Sequence, residues 1–252
     1  MIKNFIANGC SFTEYINHPD GITKTWATYL AEELDVDTHI NLASSGAGND
    51  YICNGTINYL ESNSLDPENT LVIVMWSGPN RIDLPMSQDW YQHLKFNDYP
   101  ACKTDGTDYW INSTGMQWNR NSTTRRIFEY VYKISDHREH CMKSLRYFIF
   151  LEAYLKQRGY QFLFTNFVNC WNTEQKYNPV AAGEVNIGYY CKDQPMFKNF
   201  DFSNWFFIND NRDTICEFSW DPVLSQGDVH PRNEMHQRFA REILLPIVEK
   251  FV

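Results

Sequence analysis

Long apolar runs are missing from this chain. None reaches the roughly 20 residues that span a bilayer, so no membrane-spanning segment is expected. The N-terminus, Met1-Ile2-Lys3-Asn4, lacks a signal-peptide layout because the first apolar stretch is short. The expectation is a protein made without secretory cleavage, cytoplasmic or otherwise non-secreted. Positive charge is scarce: Lys plus Arg number 22 against 31 Asp plus Glu, for a net charge of −9. That balance argues against general binding to nucleic acid or anionic membranes, which need basic surfaces. Paired cysteines are absent too. The 7 cysteines (10, 53, 102, 141, 170, 191, 216) stand singly, with no Cys-x-x-Cys. Neither a zinc ribbon nor thioredoxin-like chemistry is signalled, and an odd number of thiols without export fits a reducing compartment. There is no internal repeat, linker or low-complexity tract, so residues 1–252 read as a single domain.

What is present is a hydrophobic fraction of 43%, enough for a sizeable core and against disorder. Residues 2–7 read as a first strand. Trp26, Tyr29, Leu30 and Leu34 follow at helical spacing, with Thr25 as N-cap. A short strand over 39–43, a small-residue loop and a helix over about 50–60 come next. Residues 71–76, Leu-Val-Ile-Val-Met-Trp, are apolar on both faces, as a buried parallel strand should be. A long helix is expected over 134–158, ended by Gly159, then a strand over 160–165. A fifth strand is expected around 205–208. The last helix starts after His230, with Pro231 at its first turn and Pro246 kinking its end. Alternating strands and helices predict an α/β fold with a mainly parallel sheet of about five strands, in a flavodoxin-like three-layer α/β/α sandwich. Two irregular segments, about 81–133 and 170–226, read as aromatic-rich insertions.

In a parallel sheet every strand delivers its carboxyl end to one edge, where ligands bind. The first strand delivers Asn8-Gly9-Cys10-Ser11-Phe12-Thr13, with Ser11 on a tight turn. The second delivers Gly46, and the third delivers Ser77-Gly78-Pro79-Asn80. The segment before the last helix delivers Gly227-Asp228-Val229-His230-Pro231. A hydroxyl, a backbone amide, a side-chain amide, a carboxylate and an imidazole at one edge suit acyl transfer. Serine attacks a carbonyl, histidine takes its proton, aspartate orients the histidine, and amides hold the oxyanion.

Those blocks resemble the SGNH/GDSL hydrolases. Asn8–Thr13 is similar to their first block, with Cys10 where the best-known members have Asp. Residues 41–46 (Asn-Leu-Ala-Ser-Ser-Gly) are similar to the second, Gly78-Pro79-Asn80 to the third, and Asp228-Val229-His230-Pro231, followed by His236 and Ala240, to the last. The Gly-Cys-Ser-Phe-Thr form is similar to members found in bacteria and tailed phages. The resemblance implies a serine esterase with Ser11 as nucleophile and His230 as general base. It implies an oxyanion hole of Ser11 N–H, Gly46 N–H and the Asn80 amide, with no metal or organic cofactor. One position departs: the family's Asp three residues before His is Gly227 here. The acid is then Asp228, another carboxylate such as Asp221, or a backbone carbonyl. The expected substrate is an ester, an O-acetyl group on a carbohydrate. The alternatives are a carbohydrate O-acyltransferase on the same residues, or a carbohydrate-binding or structural module without catalysis.

Each residue also has an ordinary reading. Ser11 and Asn80 are common turn residues, Gly46 permits a positive φ, and His230 before a helix could cap it. Their joint placement at equivalent strand ends is what favours catalysis. Cys10 is a rival nucleophile that adjacency to Ser11 should turn toward the core. His236 is expected to pack. His137 and His140 could share a metal, with a solvated helix face as the default. Six of the 8 Trp (90, 110, 118, 171, 205, 220) lie in the two insertions, either as a core of their own or as a platform for sugar rings.

Overall fold

The computed structural model describes residues 2–14, 16–18, 21–96, 102–104, 109–112, 122–181, 184–218 and 230–251. In chain order, β1 (Asn4–Asn8) leads into a hairpin of β2 (Ile16–His18) and β3 (Gly21–Thr23). α1 (Trp26–Leu34), β4 (Thr38–Asn41), α2 (Asn49–Ser62) and β5 (Thr70–Trp76) follow. Then come β6 (Asp83–Met86), α3 (Gln88–Phe96), β7 (Cys102–Thr104), β8 (Tyr109–Asn112), α4 (Ser122–Ile134) and α5 (His137–Arg158). The chain continues through β9 (Gln161–Asn166), α6 (Ile187–Cys191), α7 (Pro195–Lys198) and α8 (Ile215–Phe218). It ends with α9 (Asn233–Arg238), a π-helical stretch (Phe239–Leu244) and α10 (Leu245–Phe251). The fold is mixed α/β, built on a four-stranded parallel sheet in the order β4-β1-β5-β9 and flanked by helices.

The central position of β5 follows from its sequence. All seven of its residues are buried, and β1 beside it is buried from its second residue on. Strands this apolar need cover on both faces, which crossover helices supply. The expected fifth strand is not formed as such. Trp205 makes a single parallel bridge to Phe164 of β9, with Phe164 N–H donating to Asn204 O (2.8 Å) and Phe206 N–H donating to Phe164 O (2.9 Å). The pairing stops there because residues on either side turn into loops and aromatic packing.

Helix boundaries follow local chemistry. The expected helix over 134–158 is α5, which starts three residues later; Ile134 is the last residue of α4. Asp136 caps α5 by accepting Arg138 N–H, and this sets the start at His137 rather than Ile134. Gly159, at φ +78°, ends α5 with its N–H on the carbonyls of Leu155 and Lys156. In the last helix Pro246 cannot donate to residue 242, and the chain widens into the π-helical stretch just upstream.

The first insertion is more ordered than its composition suggested. β6, β8 and β7 form an antiparallel sheet. It has its own small core of Ile82, Ile111 and Phe128, with Leu84, Met86, Val131 and Tyr132 against it. In the second insertion Trp171, Phe200, Phe202 and Trp205 pack on one another and on Phe148 of α5 in edge-to-face and tilted contacts. Trp110, Trp171 and Trp205 are buried, so in these three the core reading displaces the sugar platform; Trp90 is exposed, and Trp118 and Trp220 lie outside the described residues. Among the described residues no helix is long and apolar enough to cross a membrane.

Candidate active site

The turn after β1 can be made only with glycine at position 9. A Cβ there would stand 2.4 Å from Thr13 Oγ1 and 2.8 Å from the Met75 carbonyl. Asn8 anchors the turn from below. Its amide donates to Ile52 O (3.0 Å) and Thr56 Oγ1 (2.9 Å), while its oxygen accepts Gly9 N–H (2.7 Å). Cys10 O then accepts Thr13 N–H (2.9 Å) and Glu14 N–H (3.0 Å), forming one helical turn. Ser11 N–H sits at the first position of that turn, where no intrahelical acceptor exists. Cys10 is fully buried, and Ser11 beside it is half-buried.

The far end of the chain meets this turn. Ser11 Oγ lies 2.6 Å from His230 Nε2, across 219 residues of sequence. The His230 ring stacks on Phe12 at 4.7 Å between centroids, and Phe12 packs on Phe167 at 4.7 Å. The imidazole plane is therefore set by packing. Asp228, Asp221 and Gly227 lie outside the described residues.

Gly46 occupies the third position of a tight turn. Ala47 N–H donates to Ser44 O (2.9 Å) and Gly46 has φ +84°, which identifies a type II turn, where glycine is preferred. Ser44 N–H donates to Gly9 O (3.2 Å), which ties this loop to the Ser11 turn. Glu14, three residues after Ser11, accepts Ser45 N–H at 2.5 Å. Asn41 links the same two segments, its amide donating to Thr13 O at 2.7 Å. A cavity of about 290 Å³ opens beside this loop, with Glu14, Asn41, Ser44 and Tyr51 in its lining. Asn80 follows β5 on a turn closed by Arg81 N–H donating to Gly78 O (3.2 Å), and its carbonyl accepts the Tyr132 hydroxyl (3.1 Å). The structure thus brings Ser11 and His230 into direct contact and binds the Gly46 loop to the Ser11 turn.

His236 packs, as expected, but with a further part to play. Thr25 stands at the N-cap of α1 without capping it; its hydroxyl donates to Thr13 O (2.6 Å) instead. The ring of His236, fully buried on α9, supplies the missing acceptor: Nδ1 takes Trp26 N–H at 3.3 Å. This assigns the neutral tautomer with the proton on Nε2. Burial, then the charge of nearby His230, push the pKa of His236 down to about 3. Of the two histidines in this corner, His236 is therefore kept neutral.

Three further residues at this edge escaped the sequence reading. Asp83 is buried and accepts Gly48 N–H and Tyr51 N–H, both at 2.9 Å, closing the N-terminus of α2. Burial dominates those two bonds and pushes its pKa up to about 6. Arg81 and Glu184 form an ion pair across 103 residues, with Nε and Nη2 each 3.1 Å from Oε1. Arg81 directly follows Asn80, and a charged residue inside an apolar strand-end turn is the one signal that could have marked it. Nothing in the sequence around Glu184 points to its partner.

Among the described residues no three His, Cys, Asp or Glu side chains converge as metal ligands. A search of curated proteins found no match. The match to a family model spans residues 14–193, which include Gly46, Asn80, Arg81 and Glu184 but neither Ser11 nor His230. On that match the chain belongs to DUF6071, a family of unknown function.

Proposed function

We propose that this protein is a serine esterase of the SGNH/GDSL kind, hydrolysing an O-acetyl ester on a carbohydrate. The observation that carries the reading is the 2.6 Å approach of Ser11 Oγ to His230 Nε2 at the carboxyl edge of a parallel sheet. A flavodoxin-like three-layer arrangement supports it. The order β4-β1-β5-β9 is the order 2-1-3-4 of the main strands, and the Trp205 bridge falls where a fifth strand would stand.

In this reading Ser11 Oγ attacks the ester carbonyl while His230 Nε2 takes its proton. The negative charge that develops on the carbonyl oxygen is held by Ser11 N–H, Gly46 N–H and the Asn80 amide. His230 then protonates the departing sugar oxygen, leaving an acetyl-Ser11. Water, activated by the same imidazole, releases acetate and restores the serine. Asp228 orients His230. The buried position of Cys10 supports the hydroxyl over the thiol as nucleophile.

The test is a panel of acetyl, butyryl and octanoyl esters with acetylated xylan and peptidoglycan sugars. Wild type should release acetate, and Ser11→Ala should lose about 10³-fold or more in kcat. Activity that survives Ser11→Ala but disappears in Cys10→Ser would move the nucleophile to the thiol.

A further inference from the structure

We infer that the Arg81–Glu184 ion pair is a positioning clamp for the loop that carries Asn80, reaching it from the second insertion. The inference rests on the esterase reading for its catalytic consequence, but not for the clamp itself. Three contacts build the clamp. Arg81 N–H closes the loop onto Gly78 O at 3.2 Å. The Arg81 guanidinium grips Glu184 Oε1 through both Nε and Nη2, at 3.1 Å each. The carboxylate of Glu184 lies directly on Gly78, where a Cβ would come within 1.6 Å of Oε2. The carboxylate thus packs against the loop backbone, and a side chain at position 78 would have to push it aside.

The clamp is also joined to the nucleophile turn. The Arg81 guanidinium lies over the Phe167 ring at 4.7 Å. Phe167 packs on Phe12, and Phe12 packs on His230, each at 4.7 Å. Cys10, next to Ser11, faces the guanidinium as well. Among the described residues Arg81 Nη1 and Glu184 Oε2 are buried without a hydrogen-bond partner, so removing either side chain leaves the other's buried charge without its counter-charge. Held this way, residues 78–81 keep one geometry before substrate arrives. An oxyanion donor needs that, because preorganised donors lose no reorganisation at the moment of reaction.

A double-mutant cycle with an amide-exchange measurement tests this. Glu184→Gln keeps the shape and removes the charge. Should it fold poorly, Arg81→Met with Glu184→Met replaces the pair by an apolar one, which buried sites tolerate. The clamp predicts faster exchange of the backbone amide at position 81 in either variant, with the amides of β1 and α5 unchanged. On 4-nitrophenyl acetate it predicts a loss of about 10–100-fold in kcat, the scale of a misplaced catalytic group, with KM within about threefold. In an Asn80→Ala background the same substitution should cost less than about threefold more, since its effect passes through Asn80. Unchanged exchange at position 81, or losses that multiply fully in the Asn80→Ala background, would overturn the inference. If wild type hydrolyses none of the esters and Ser11 takes up no fluorophosphonate, the esterase reading fails, while the exchange result still decides the clamp.

Discussion

The neutral, buried His236 makes a quantitative demand on stability. Its pKa in the folded protein is about 3, against an ordinary value of 6.5. A base whose folded pKa is depressed favours the fold when neutral. Its contribution is complete above the unfolded value and is lost as pH falls toward the folded value. The full separation is worth about 5 kcal/mol at 1.36 kcal/mol per pH unit, of which about 3 kcal/mol is gone by pH 4.5. Against a total of roughly 5–15 kcal/mol for an ordinary domain, that is enough to bring acid unfolding into reach. His236→Asn keeps an acceptor for Trp26 N–H and cannot be protonated. It should lose a constant amount at every pH for the missing ring, but should be spared the acid-dependent loss. Urea unfolding at pH 7.5 and pH 4.5 reads both terms. The stability difference between the two proteins should narrow by about 3 kcal/mol between those conditions. Parallel losses in wild type and variant would refute the assignment of His236 as the buried acid-sensitive group.

Asp83 works in the opposite direction. Its folded pKa of about 6 lies above the ordinary 3.8, so its contribution is complete below the lower value and is lost as pH rises through the upper one. Between pH 5 and pH 8 wild type should lose about 1–2 kcal/mol that Asp83→Asn does not, again by urea unfolding; equal slopes would argue that the carboxylate is already ionised at pH 5. Gly9→Ala should destabilise by about 1–3 kcal/mol, because the Met75 carbonyl at 2.8 Å from the new Cβ belongs to a central strand that cannot yield. It should also lower the rate of fluorophosphonate labelling at Ser11, because relieving the clash means moving that turn.

Much of the mixed α/β fold was written in local patterns. Residues 71–76 announce a strand buried on both faces, and β5 is one. The small residues around Gly46 announce a turn needing positive φ, and Gly46 has it. Periodicity also found α1, α2 and the bulk of α5, since each buries one stripe. Where a boundary depended on a cap, the pattern alone missed it: Asp136 starts α5 at His137, three residues after the start that apolar spacing gave. The first insertion was read as loops and short elements because its strands run only three or four residues, and β6 pairs with β8 rather than with the next strand in the chain.

The sequence by itself determined which groups arrive at the carboxyl edge: a serine after β1, Gly46 after β4, Asn80 after β5 and a histidine before the last helices. It could do so because strand direction in a parallel sheet follows from alternation alone. Only the tertiary structure decided which of those groups touch. Ser11 and His230 are 219 residues apart, and Arg81 and Glu184 are 103 apart. No periodicity encodes such pairings. The cap of α1 shows the same division. Thr25 stands in the expected place, yet Thr13 claims its hydroxyl and His236, 210 residues away, accepts the helix N–H. The reason is physical. A buried polar atom must find a partner somewhere, and which partner is in reach is settled when the chain packs, not while it is being read.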